Sequence, residues 1–196
     1  SVKNIENWTF DGCSSLQNIT IPNSVKWIGK YAFSHCSSLQ NIVIPDSVEI
    51  IGESAFSHCS SLQNVVIPDS VKNIENWTFD GCSSLQNITI PNSVKNIGIR
   101  AFSDCSSLQN IVIPDSVEII GDRAFDGCSS LQNITIPNSM KWSNYSEPLI
   151  EQRPQAERIL AVQRMMSAFP LNADVNASNI PIPCFLAVLR YAVMSR

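Results

Sequence analysis

The sequence predicts an α/β repeat solenoid, a stack of near-identical coils with helices at its C-terminal end. Three observations carry this. The dipeptide Ile-Pro recurs at Ile21, Ile44, Ile67, Ile90, Ile113 and Ile136, each step being 23 residues. Cysteine recurs at Cys13, Cys36, Cys59, Cys82, Cys105 and Cys128 on the same step. Within each unit the apolar residues follow first a helical spacing and then a two-residue alternation. A fixed period of this length marks a stacked repeat architecture. A unit so short cannot bury its apolar face alone, so neighbouring coils must cover one another. Six units run from Ser1 to Asn138, and residues 1–26 recur unchanged at 70–95.

Taking the unit SVKWIGKYAFSHCSSLQNIVIPD in order, Val25 and Ile28 point inward and Gly29 makes a turn. Ala32, Phe33 and Cys36 then sit at i, i+1 and i+4, the spacing of one helical turn. Ser37 and Ser38 lead into Leu39, Ile42 and Ile44, whose last two members alternate as strand residues do. Pro45 lacks a backbone donor and ends the strand. Like strands of successive coils then lie in parallel, about 4.8 Å apart. Eight inward positions per unit form ladders along the axis.

The repeat fails after Ser139, where Met140 and Trp142 start a seventh unit that stops. Residues 154–169 read as an amphipathic helix with Ile159, Leu160, Val162, Met165, Met166 and Phe169 on one face. Pro154 suits its first turn and Pro170 stops it. A loop over 171–182 precedes a second, more apolar helix over 183–194. Solenoid ends need covering, so the 139–196 segment is expected to be a helical cap. A docking hairpin for another protein is the alternative, given Cys184 and the apolar second helix.

Composition narrows the function. The chain has 196 residues, 44% hydrophobic and 15% charged, with net charge −4. Residues 1–138 carry 7 Lys/Arg against 13 Asp/Glu. That acidic balance lacks the basic stripe nucleic-acid binding needs. No apolar run is long enough to span a membrane. No signal peptide is visible, although Ser1 falls inside a repeat.

The pattern IPxSVxxIGxxAFxxCSSLQxIxIP over residues 1–138 resembles the BspA-type leucine-rich repeats. The resemblance implies a right-handed, curved coil with its parallel sheet on the concave face and short helical turns on the convex side. It also implies adhesion or protein binding. Units one and four depart from the pattern, with Glu6 and Glu75 for Gly and Thr9 and Thr78 for Ala, so their turns should differ.

The six in-register cysteines form a line, whereas metal ligands converge on one point. Parallel side chains in neighbouring coils are also poorly placed for disulfides. A ladder of reduced thiols packed beside Phe is expected. His35 and His58 share a register on the convex flank, and the coils flanking them carry no carboxylate or third ligand at it, so no metal site is expected. Sequons occur at Asn7, Asn18, Asn76, Asn87, Asn133, Asn144 and Asn176. They either accept glycans in a secreted protein or are simply copied with the repeat.

The outward strand residues are the candidate partner-binding surface. These are Gln17, Asn18, Gln40, Asn41, Gln63, Asn64, Gln86, Asn87, Gln109, Asn110, Gln132 and Asn133. They make a uniform uncharged face, which suits an extended or repetitive protein partner better than one compact ligand. The opposing reading is that the Asn rows only solvate and cross-bond the sheet. Unit-to-unit variation lies elsewhere, at Trp8, Trp27, Tyr31, Trp77, Ile99, Arg100 and Arg123. No nucleophile has a paired base and no phosphate loop occurs, so no enzyme activity and no cofactor is expected. A non-catalytic protein-interaction or adhesion module results, with an intracellular scaffold or a structural subunit of a larger assembly as the alternative. A signal peptide before Ser1 would indicate the cell surface or secretion; otherwise the compartment is intracellular.

Overall fold

The computed structural model describes residues 1–135 and the short strand Lys141–Trp142. The expected helices over 154–169 and 183–194, and the sequons at Asn144 and Asn176, lie outside the described residues. So does Cys184.

Each coil contributes two short strands. In chain order these are β1 (Asn4–Ile5), β2 (Asn18–Thr20), β3 (Trp27–Ile28), β4 (Asn41–Val43), β5 (Ile50–Ile51), β6 (Asn64–Val66) and β7 (Asn73–Ile74). There follow β8 (Asn87–Thr89), β9 (Asn96–Ile97), β10 (Asn110–Val112), β11 (Ile119–Ile120), β12 (Asn133–Thr135) and β13 (Lys141–Trp142). The three-residue strands form the expected sheet, parallel and in register: Asn18 pairs with Asn41, Asn64 with Asn87, and Asn110 with Asn133. The two-residue strands form a second parallel ladder, where only a turn was expected. Asn4 pairs with Trp27, Trp27 with Ile50, and Asn73 with Asn96. Two residues are too short for an alternation to show in the sequence.

Each ladder breaks once: the first between β8 and β10, the second between β5 and β7. The second break has a local cause. At this register Gly29, Gly52, Gly98 and Gly121 let adjacent coils approach so closely that a Cβ would meet neighbouring backbone at 2.4–2.7 Å. Coil four carries Glu75 there instead. A Cβ at that place would meet the backbone of coil three, and β7 stands apart from β5; the turn itself keeps its left-handed position, Trp77 at φ 53°.

The expected helical turns do not form; there is no helix among the described residues. In the turn segment Tyr31 and His35 have φ of 55° and 58°, in the left-handed region, and so interrupt any right-handed helix. The amides between them serve two directions in alternation. Ala32 and Ser34 N–H donate within the turn, to Gly29 and Tyr31 O. Phe33 and His35 N–H donate to Ala55 and Ser57 O of the next coil, both at 2.8 Å. A helix would keep all its bonds to itself; this turn spends half of them joining coils.

The core is as expected. Val25, Ile28, Ala32, Phe33, Cys36, Leu39, Ile42 and Ile44 are buried, as are their counterparts in later coils. One phenylalanine per coil stacks along the described coils: Phe10, Phe33, Phe56, Phe79, Phe102 and Phe125 lie with successive ring centroids 5.1–5.6 Å apart. Offset stacking at this spacing adds to burial. The beginning of a seventh coil is present as β13, with Lys141 opposite Ile119 and Trp142 opposite Ile120.

Candidate functional site

Strand geometry fixes where the polar rows stand. In β4 and β6 the central residues, Ile42 and Val65, turn into the core, so Asn41, Val43, Asn64 and Val66 face outward. All twelve expected Gln and Asn residues are exposed. Register places them in two columns along the axis, beside a third column of Thr20, Val43, Val66, Thr89, Val112 and Thr135. Strand alternation places this third column outward in the sequence as well. Its valines are the most exposed apolar side chains described, Val43 at 78% and Val66 at 68%. The face therefore offers amide groups next to branched apolar ones rather than amides alone.

The Asn column is partly self-satisfied. Asn133 Nδ2 donates to Asn110 Oδ1 at 2.7 Å, and Asn87 Nδ2 to Asn64 Oδ1 at 3.4 Å. Such cross-bonding stiffens the sheet, and each amide still has polar capacity to spare. Asn18, Asn87 and Asn133, which carry sequons, stand on this face. The first sequon of units one and four is hydrogen-bonded to the next coil. Asn7 Oδ1 accepts Lys30 N–H and Asn76 Oδ1 accepts Ile99 N–H, both at 2.8 Å, and Thr78 is buried.

The six cysteines of the repeats are free. Five form the expected buried ladder, each Sγ donating to a phenylalanine carbonyl of the preceding coil at 3.1–3.2 Å. Cys13, in the first coil described, is exposed. Burial pushes the Cys36 thiol up to about 11, the nearby Cys13 adding to the effect. The Cys59, Cys82 and Cys105 thiols are raised further, again by burial. These are packing groups, not nucleophiles.

The histidines His35 and His58 adjoin, with ring centroids 4.9 Å apart, but their planes are tilted by 31° and not stacked as expected. Carboxylates do reach them, contrary to the in-register search: Asp11 lies 3.7 Å from His35 Nδ1 and Asp80 lies 3.7 Å from His58 Nε2. Both come from the neighbouring position in flanking coils, which a same-register comparison misses. Burial raises the Asp80 carboxyl, whose Oδ1 has no hydrogen-bond partner. No grouping of three or more His, Cys, Asp or Glu able to hold a metal occurs among the described residues. The variable residues Trp8, Tyr31, Trp77, Arg100 and Arg123 share one left-handed turn position, with φ of 50–58°. Trp8 stacks on Tyr31 with ring centroids 5.9 Å apart.

Comparison with known proteins places these features in a family. Residues 1–106 and 53–146 match the BspA type leucine rich repeat region, in six copies. No functionally curated protein matches the chain. Among solved structures, a leucine-rich repeat protein of T. pallidum is 37% identical, with a TM-score of 0.70, over 72% of this chain and 66% of its own. One from Bacteroides ovatus is 34% identical, with a TM-score of 0.65, over 72% of this chain and 43% of its own. A leucine rich cell surface protein from Faecalibacterium prausnitzii is 32% identical, with a TM-score of 0.54, over 68% of this chain and 42% of its own. This chain thus spans less than two thirds of each of these relatives. Period, parallel ladders, buried Phe and Cys columns and the family match agree: the chain belongs to the BspA-type leucine-rich-repeat family.

Proposed function

We propose that the chain is a non-catalytic protein-interaction or adhesion module. Its binding surface is the first sheet, where Gln17, Gln40, Gln63, Gln86, Gln109 and Gln132 run beside the Asn column and the Thr/Val column. One observation carries this reading: three outward columns repeat in parallel register on either side of the one ladder break, with exposed valines among the amides. A partner with its own regular spacing gains from each added coil, whereas a compact ligand meets no distinctive group. An extended protein segment is such a partner, and avidity over several coils compensates for weak contacts at each one. Leucine-rich repeats of this family generally serve protein interaction or surface roles, and one relative is described as a cell surface protein.

The free thiols favour a second reading, an intracellular scaffold or structural subunit, because unpaired cysteines suit a reducing compartment. The test selects binders from a library of extended 15-residue peptides displayed on phage. Peptides so selected should lose at least tenfold in affinity for the Asn64→Arg/Asn110→Arg protein and keep it for Asp126→Arg, on the turn. Binding insensitive to the first variant would remove the first sheet as the interaction surface.

A further inference from the structure

A depression of about 430 Å³ lies on the second sheet, over β7, β9 and β11. Small-molecule sites occupy roughly 300–1,000 Å³. The lining brings together three amides (Asn73, Asn76, Asn96), one carboxylate (Glu75) and two aliphatic side chains (Ile99, Ile119). Both isoleucines are unusually open for their type, 42% and 43% exposed. Gly98 and Gly121 form the floor, where close coil packing leaves no room for a side chain.

The amides are oriented. Asn96 Nδ2 donates to Asn73 Oδ1 at 2.8 Å, and Asn76 Oδ1 accepts the Ile99 N–H at 2.8 Å. Asn73 and Asn76 therefore retain Nδ2 donors, Asn96 retains its Oδ1, and Glu75 adds an acceptor. The lining thus offers both donors and acceptors beside aliphatic groups.

The duplicated block supplies an internal comparison. Residues 1–26 equal 70–95, so Asn4, Glu6 and Asn7 repeat Asn73, Glu75 and Asn76. The copies then diverge. Trp27 pairs with Asn4 as Asn96 pairs with Asn73, and Lys30 stands where Ile99 does. The first copy thus carries an indole, and a long cation paired with Glu53 at 3.1 Å, at those places.

We propose that this depression is a saccharide site that takes a neutral pyranose unit. A sugar's hydroxyls each donate and accept, which suits the Asn73, Asn76 and Asn96 amides with Glu75 as acceptor. Its C–H face suits the Ile99 and Ile119 methyls. The site is on the other sheet from the protein-binding face and does not depend on that reading.

The test is saturation-transfer NMR on the full chain with cellobiose, maltose and lactose at millimolar concentration. At least one disaccharide should give ring-proton transfer with the unaltered protein. That signal should fall at least fivefold in Asn96→Trp, which installs the first block's residue, and at least threefold in the near-isosteric Glu75→Gln. Circular dichroism checks the fold of both. If Asn96→Trp does not fold, Glu75→Gln decides alone. No transfer with any of the three sugars, an undiminished signal in a folded variant, or binding of butylammonium in place of the sugars would each overturn the proposal.

Discussion

Replacing Phe79 by alanine isolates the column that runs through the coils. Phe79 is fully buried and stacks on Phe56 and Phe102, with both centroids 5.6 Å away. Burying such a side chain contributes about 1.5–3 kcal/mol. Each stacked contact adds about 0.5–1.5 kcal/mol, and the cavity left behind raises the cost further. The loss expected is about 4 kcal/mol. Phe79→Leu keeps most of the apolar volume and forfeits both ring contacts, so it should cost about 1–2 kcal/mol. Urea unfolding followed by circular dichroism and by tryptophan fluorescence gives both values, with coincident transitions confirming cooperative loss. A cost for Phe79→Ala below about 2 kcal/mol, or equal costs for the two variants, would refute the account of the column.

Other outcomes follow from the same structure. Gly98→Ala places a Cβ 2.6 Å from the Asn76 amide nitrogen and should cost about 1–3 kcal/mol in urea unfolding. Gly12→Ala meets nothing within 4 Å and bears only its φ of +70°, so it should cost about 1 kcal/mol. In native protein, alkylation read by peptide mass spectrometry should label Cys13 quickly and leave Cys36, Cys59, Cys82, Cys105 and Cys128 unlabelled until denaturant is added. Because burial raises the Cys36, Cys59, Cys82 and Cys105 thiols above the ordinary 9.0, the folded state retains protons that the unfolded chain releases. Stability should therefore be level below about pH 8 and fall above about pH 9, by up to ~1.4 kcal/mol per pH unit for each buried thiol. A flat profile from pH 8 to 10 contradicts this. Asp80 titrates with its folded value raised, so its ionisation weakens the fold as pH rises. Asp80→Asn should raise Tm at pH 7, and the gain should shrink as pH falls through the carboxylate range.

The sequence made the core legible because every coil repeats the same eight inward residues; Phe33, Cys36 and Leu39 needed only the period to be placed. The outward Gln and Asn rows followed from alternation about Ile42. Other features left no periodic trace. The second sheet uses two residues per coil, too few to alternate. Ala32, Phe33 and Cys36 have helical spacing, but the left-handed Tyr31 and His35 override it, and neither residue type announces that conformation. Asp11 and Asp80 meet the histidines from a neighbouring register. The depression beside Asn96 is lined from three coils, at positions that no single period marks out.

The two ladder breaks fall at different joints. Where β5 and β7 part, β6 and β8 still pair; where β8 and β10 part, β7 and β9 still pair. The arrangement is that of bonded masonry, whose vertical gaps never line up from one course to the next. A crack that starts at Glu75 runs into an intact course and stops. Repeats can therefore diverge one at a time, as this duplicated block has begun to do, without opening a plane along which the stack would cleave.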